Sequence, residues 1–188
     1  MFFPDLGSIE QWVIVGHGDA GIKSLPDKLS SCGGTVVMLV NKNTSKACVL
    51  GWKSKKLQRK IPSSLAGEAL AQKETIGSCV YYKALLQKIY GDQIKKVPIV
   101  SFTDSKNLTR AINSTKLVAD EQLIIDIAAI KDDIANGTVS SVRRVSGKEC
   151  LADCLTKNGA SAELLLKVLQ TGEYKMPAGL EDDETYEE

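Results

Sequence analysis

Pro62-Ser63-Ser64-Leu65-Ala66-Gly67-Glu68-Ala69 is where the hydrophobic period of this chain changes. Before it, short runs rich in β-branched residues alternate with turn material. After it, apolar side chains recur at helical spacing. Pro62-Ser63-Ser64 is a helix start signal. Residues 65–90 read as one long helix with an apolar stripe of Leu65, Ala69, Ile76, Val80, Ala84 and Leu85, and Gly91 ends it. Glu68 falls in the first turns among apolar neighbours, where a carboxylate needs a partner or a metal.

Working back from that helix, residues 12–15, 35–40 and 47–53 read as strands, with Asn41-Lys42-Asn43-Thr44 as the turn between the second and third. Residues 21–31 are loop material. Working forward, residues 97–103 form a strand with Pro98 near its start. Helices over 105–112 and 121–135 follow, the latter stopped by Asn136-Gly137. A strand over 139–145, a helix around 149–156 and a last helix over 161–170 complete the chain. An antiparallel meander followed by helix-linked strands predicts an α/β fold: a mixed five-stranded sheet, three antiparallel strands then two parallel, with helices packed on it.

The totals suit such a domain. Of 188 residues, 43% are hydrophobic and 25% charged, an ordinary globular balance. No run approaches a membrane span and the N-terminus lacks signal-peptide character, so the expectation is an intracellular protein without membrane association. The odd number of cysteines, without paired spacing, reads as reduced thiols with buried side chains. Residues 181–188 hold six acids and no base. The expectation is one domain over 1–172 and an acidic tail over 173–188 without fixed structure. Without that block the chain is distinctly basic, compatible with an anionic partner.

Four carboxylates fall at element ends: Asp19 after the first strand, Glu68 early in the long helix, Asp104 after the fourth strand, and Asp153 in the helix near 149–156. If the first and fourth strands are neighbours, Asp19 and Asp104 emerge side by side, within reach of Glu68 and Asp153. Convergent carboxylates repel, and two hard divalent cations with a preference for oxygen resolve that repulsion. Such a pair can cradle a scissile phosphate, one activating water and the other stabilising the leaving oxygen. Lys53, Lys55, Lys56, Arg59 and Lys60 precede the Glu68 helix and are candidate phosphate contacts, against the alternative of a solvated loop. Trp52 reads as a core side chain closing the third strand, and His17 as a structural histidine that shares a strand face with Asp19.

These motifs resemble those of copia-type retrotransposon ribonuclease H domains. The resemblance rests on Gly51-Trp52-Lys53-Ser54-Lys55-Lys56 with Ser63-Ser64-Leu65-Ala66-Gly67-Glu68-Ala69, on Phe102-Thr103-Asp104-Ser105, and above all on Leu151-Ala152-Asp153-Cys154-Leu155-Thr156-Lys157. Gly18-Asp19-Ala20 is similar to the first acidic motif, with Gly18 where the family usually carries a hydroxyl residue. The family's basic residues near 120–124 are missing. The resemblance implies an RNase H-like fold, with Asp19, Glu68, Asp104 and Asp153 as catalytic and metal ligands for two Mg²⁺ ions, or Mn²⁺. It implies an RNA–DNA hybrid as substrate, and a reverse transcriptase domain supplied in a longer polyprotein. Two alternatives stay open: a non-catalytic nucleic-acid-binding or protein-interaction module, and a fold-mate that cleaves DNA.

Overall fold

The computed structural model describes residues 2–22, 24, 30–115 and 121–180. Part of the expected loop 21–31 and all of 181–188 lie outside them. Its strands are β1 (Trp12–Gly21), β2 (Cys32–Asn41), β3 (Ala47–Lys56), β4 (Ile99–Thr103) and β5 (Ser141–Arg144). The α-helices are α1 (Ser64–Tyr90), α2 (Lys106–Asn113), α3 (Glu121–Ala135) and α4 (Glu163–Thr171). The sheet runs in the order β3-β2-β1-β4-β5. β1–β2 and β2–β3 pair antiparallel, while β1–β4 and β4–β5 pair parallel. This is the mixed sheet the sequence predicts. Among the described residues no helix is long and apolar enough to cross a membrane.

Both faces of the sheet are covered. Ile14, Val37, Leu39 and Ile99 pack under α1, α2 and α3. Val13, Val15, Val36, Met38 and Phe102 pack on the other side with α4 and residues 150–152. Every residue of β1 is consequently buried, as befits a central strand covered on both faces.

Three elements differ from the sequence reading. β1 continues past Val15 to Gly21, so Asp19 lies within the strand, opposite Gly34, rather than after it. Two short 3₁₀ turns, Gly147–Glu149 and Asp153–Leu155, replace the helix expected around 149–156. The third difference is the buried face of α1. Ala69 and Ile76 are buried as expected, but Val80 and Leu85 are exposed, and Gln72, Thr75 and Cys79 lie against the sheet.

The cause is a close approach between helix and strand. A side-chain carbon at Gly16 would lie 2.7 Å from Cys79 Sγ, and one at Gly18 would lie 2.7 Å from Thr75 Oγ1. Only a strand without side chains there, facing small or slender helix residues, permits that spacing. The polar groups are largely satisfied locally. Thr75 Oγ1 donates to Ala71 O at 2.9 Å and lies 2.9 Å from Thr35 Oγ1, and Gln72 Nε2 donates to Ser101 Oγ at 2.5 Å.

Residues 173–180, read from sequence as the start of the tail, run along the domain. Tyr174 N donates to Ser45 O and Leu180 N to Arg144 O, each at 2.7 Å. Tyr174 is buried against His17 and Phe102. His17 is fully buried, stacks on Phe102, and its Nδ1 accepts from Leu151 N at 3.4 Å. That leaves Nε2–H to donate to Tyr174 Oη at 2.7 Å. Burial lowers the His17 pKa from its ordinary 6.5 to about 3, so the ring is neutral at physiological pH. His17 is thus structural, as the sequence reading favours. Tyr174→Phe should leave Nε2–H buried without an acceptor and cost about 1–3 kcal/mol of stability. Denaturant unfolding of parent and variant measures it, and an unchanged midpoint would make the contact dispensable.

Candidate metal centre

Parallel pairing of β1 with β4, with His17 opposite Phe102, brings the C-terminal ends of these strands side by side. Asp19 on β1 and Asp104 just after β4 therefore meet. Asp153 comes from the 3₁₀ turn, which is anchored from beneath. Cys150, Leu151 and Ala152 are buried, Leu151 N bonds to His17, and Cys150 Sγ approaches Gly18 O at 3.9 Å. One carboxylate oxygen each of Asp19, Asp104 and Asp153 lies within 4.8 Å of the others.

Glu68 approaches from the first turns of α1. Ser63 caps that helix by accepting from Ala66 N at 3.2 Å. The close packing of α1 on β1 presses Glu68 toward Asp19 and Asp104. Burial, then the charges of Asp19 and Asp104, push the Glu68 carboxyl from its ordinary 4.5 to about 9, against the opposing effects of Lys157 and the Ala20 N–H. Its Oε2 is buried without a hydrogen-bond partner. Asp19 is fully buried, and burial raises its pKa, opposed by Thr156 and Lys157 and assisted by Asp104 and Asp153.

Two residues that the sequence reading quoted without a role complete the cluster. Thr156 Oγ1 donates to Asp19 Oδ2 and contacts Asp153 O at 3.1 Å. Lys157 Nζ bonds Asp153 Oδ1 and lies 3.4 Å from Asp19 Oδ1 and 3.5 Å from Asp104 Oδ2. Burial opposes its charge, but the hydrogen bond to Asp153 and the charges of all three aspartates outweigh it, and its pKa rises. The signal available in sequence was the i,i+4 spacing of Asp153 and Lys157.

The donor set is carboxylate oxygen throughout, and one of those oxygens is orphaned. Both features suit a hard divalent cation. One ammonium does not neutralise three aspartates, and Glu68 stays protonated in the metal-free protein, so the charge balance leaves room for further cations that would displace that proton.

The basic run divides. Register places β3 residues 53–56 at the same end of the sheet as the acids, Lys56 opposite Cys32 and Cys32 opposite Gly21. Lys55 pairs with Glu74 at 2.8 Å. Arg59 pairs with the buried Asp126 of α3, which also receives Lys73 at 3.3 Å. Arg59 thereby ties the loop before α1 to α3. Lys53, Lys56 and Lys60 are exposed. Trp52, read as a core residue, is 50% exposed, because β3 is an edge strand.

No protein-family model and no curated protein matches the chain. Solved structures do match it. The N-terminal RNase H domain of a Mycobacterium tuberculosis protein, solved as a fusion with maltose-binding protein, aligns with a TM-score of 0.54 at 14% identity over 83% of this chain and 97% of that one. LC11-RNase H1 in complex with an RNA/DNA hybrid aligns with a TM-score of 0.52 at 17% identity, over 81% and 99%. RNase H1 of the halophilic archaeon Halobacterium salinarum gives 0.50 at 12% identity, over 76% and 93%. The fold is therefore RNase H-like.

The raised carboxyl of Glu68 has a measurable consequence. Between about pH 4.5 and 9 the folded protein holds a proton there that the unfolded chain has released, so stability falls as pH rises. His17 acts oppositely, but only below about 6.5. In the presence of a chelator the melting temperature should therefore fall between about pH 6.5 and 9. Glu68→Gln should flatten that fall, and equal pH slopes for parent and variant would contradict the placement of this carboxyl.

Proposed function

We propose that the chain is a divalent-metal-dependent endonuclease that hydrolyses the RNA strand of RNA–DNA hybrids, derived from a copia-type retrotransposon polyprotein. The observation that carries this reading is the set of three aspartate oxygens within 4.8 Å, with the orphaned carboxylate of Glu68 beside them. The RNase H-like fold supports it, as does a structural neighbour that was solved with an RNA/DNA hybrid. The reading extends to partners: a reverse transcriptase domain in a longer polyprotein would present the hybrid.

In this account Asp19, Glu68, Asp104 and Asp153 are the catalytic and metal-binding residues, holding two Mg²⁺ ions, with Mn²⁺ as a substitute. The ions supply water activation and stabilisation of the leaving oxygen. The chain supplies position. Asp19 and Asp104 are fixed by the β1–β4 pairing, Asp153 by the buried Cys150, Leu151 and Ala152 that precede its turn, and Glu68 by the packing of α1 on glycines. Lys53, Lys55, Lys56, Arg59 and Lys60 are proposed to face the phosphate backbone; Lys53, Lys56 and Lys60 are exposed, while Lys55 and Arg59 pair with Glu74 and Asp126. Such contacts would recognise backbone geometry rather than base sequence.

A second reading, a non-catalytic nucleic-acid-binding module, is favoured by one observation. Lys157 contacts all three aspartates and so satisfies part of the cluster without metal. Incubation with labelled hybrid, duplex DNA and duplex RNA, with Mg²⁺ and with a chelator, separates the readings. The parent should cut the RNA strand of the hybrid only with Mg²⁺. Asp104→Asn should remain folded and lose cleavage, with a smaller rise in melting temperature on adding Mg²⁺. A parent that binds hybrid but cleaves nothing would leave the module reading in its place.

A further inference from the structure

We infer that Lys157 is a displaceable internal counterion, which holds the acidic cluster together in the metal-free protein and gives way when a divalent cation enters. The inference deepens the metal reading above and rests on it. Lys157 Nζ bonds Asp153 and lies 3.4 Å and 3.5 Å from oxygens of Asp19 and Asp104. Those aspartates are the trio whose oxygens lie within 4.8 Å of one another. A hard cation bound by these oxygens stands about 2.0–2.6 Å from each, which is the region the ammonium fills. The ammonium and a metal ion cannot both occupy the space between the same three oxygens.

The local chain is built both for this contact and for its release. Lys157 stands four residues after Asp153, and its backbone N donates to Asp153 O at 3.1 Å, so the stem starts beside the cluster. Thr156 holds the adjoining backbone through Asp19 and Asp153 O, independently of the ammonium. The side chain is 43% exposed, which gives the ammonium a route to water without unfolding. Exchange follows: the ammonium relieves carboxylate repulsion when metal is absent, and the same contacts lower the apparent affinity for the incoming ion.

The test uses the full chain without nucleic acid. Mn²⁺ binding is measured by titration calorimetry, and melting in chelator, for the parent, Lys157→Met and Lys157→Arg. Lys157→Met should melt lower in chelator yet bind Mn²⁺ roughly tenfold more tightly, a coupling typical of two competing ligands. Lys157→Arg, which keeps the charge, should stay near the parent. Should Lys157→Met fail to fold, acetylation of the parent read by mass spectrometry serves instead. Lys157 should be protected in chelator and become reactive on adding Mn²⁺. Equal or weaker Mn²⁺ binding by Lys157→Met, or protection unchanged by Mn²⁺, overturns the exchange while leaving the metal site intact. A parent that binds no Mn²⁺ overturns the metal reading, and the exchange with it.

Discussion

Like-charge repulsion at the end of β1 is the constraint around which this molecule is arranged. Asp19, Asp104 and Asp153 bring oxygens within 4.8 Å of one another, and Glu68 adds a fourth carboxyl that is partly buried and lacks a partner for Oε2. Proteins rarely bury charge without compensation. Here the compensation is incomplete within the chain. Lys157 supplies one positive charge, Thr156 one hydrogen bond to Asp19, and Glu68 keeps a proton up to about pH 9. A fold that holds such a cluster in place must fix its members from several independent directions.

Those directions are visible in the packing. The β1–β4 ladder sets two of the acids. The approach of α1 over Gly16 and Gly18 sets the third, since any side chain on those glycines would collide with Thr75, Gln72 or Cys79. Cys150, Leu151 and Ala152, buried beneath β1, set the fourth. His17 links this last support to Tyr174 and so to the segment after α4. Fully buried and with a pKa near 3, its ring serves as a neutral hydrogen-bonding brace two residues from a charged centre.

The mixed sheet and the meeting of Asp19, Asp104 and Asp153 are legible in the sequence because they rest on local period, turn residues and strand ends. What escaped it depends on contacts between distant residues. The buried face of α1 uses Gln72, Thr75 and Cys79 because two glycines on a different element admit them. Hydrophobic periodicity alone pointed to Val80 and Leu85, which are exposed. Arg59 looked like part of a uniform basic run, but its partner Asp126 lies 67 residues away on α3. The spacing of Lys157 from Asp153 shows that pair, but not its contacts with Asp19 and Asp104, because those acids come from β1 and the end of β4, far away in sequence.

The central claim is that this acidic cluster is a metal site. Anomalous diffraction from crystals soaked in Mn²⁺ tests it most directly. The account predicts Mn²⁺ bound by Asp19, with Asp104, Asp153 and Glu68 sharing the ions, and two ions about 3.5–4 Å apart at full occupancy. It also predicts the Lys157 ammonium displaced from its place among the aspartates. Crystals with no anomalous peak at the cluster and Lys157 still bridging the three aspartates would contradict it.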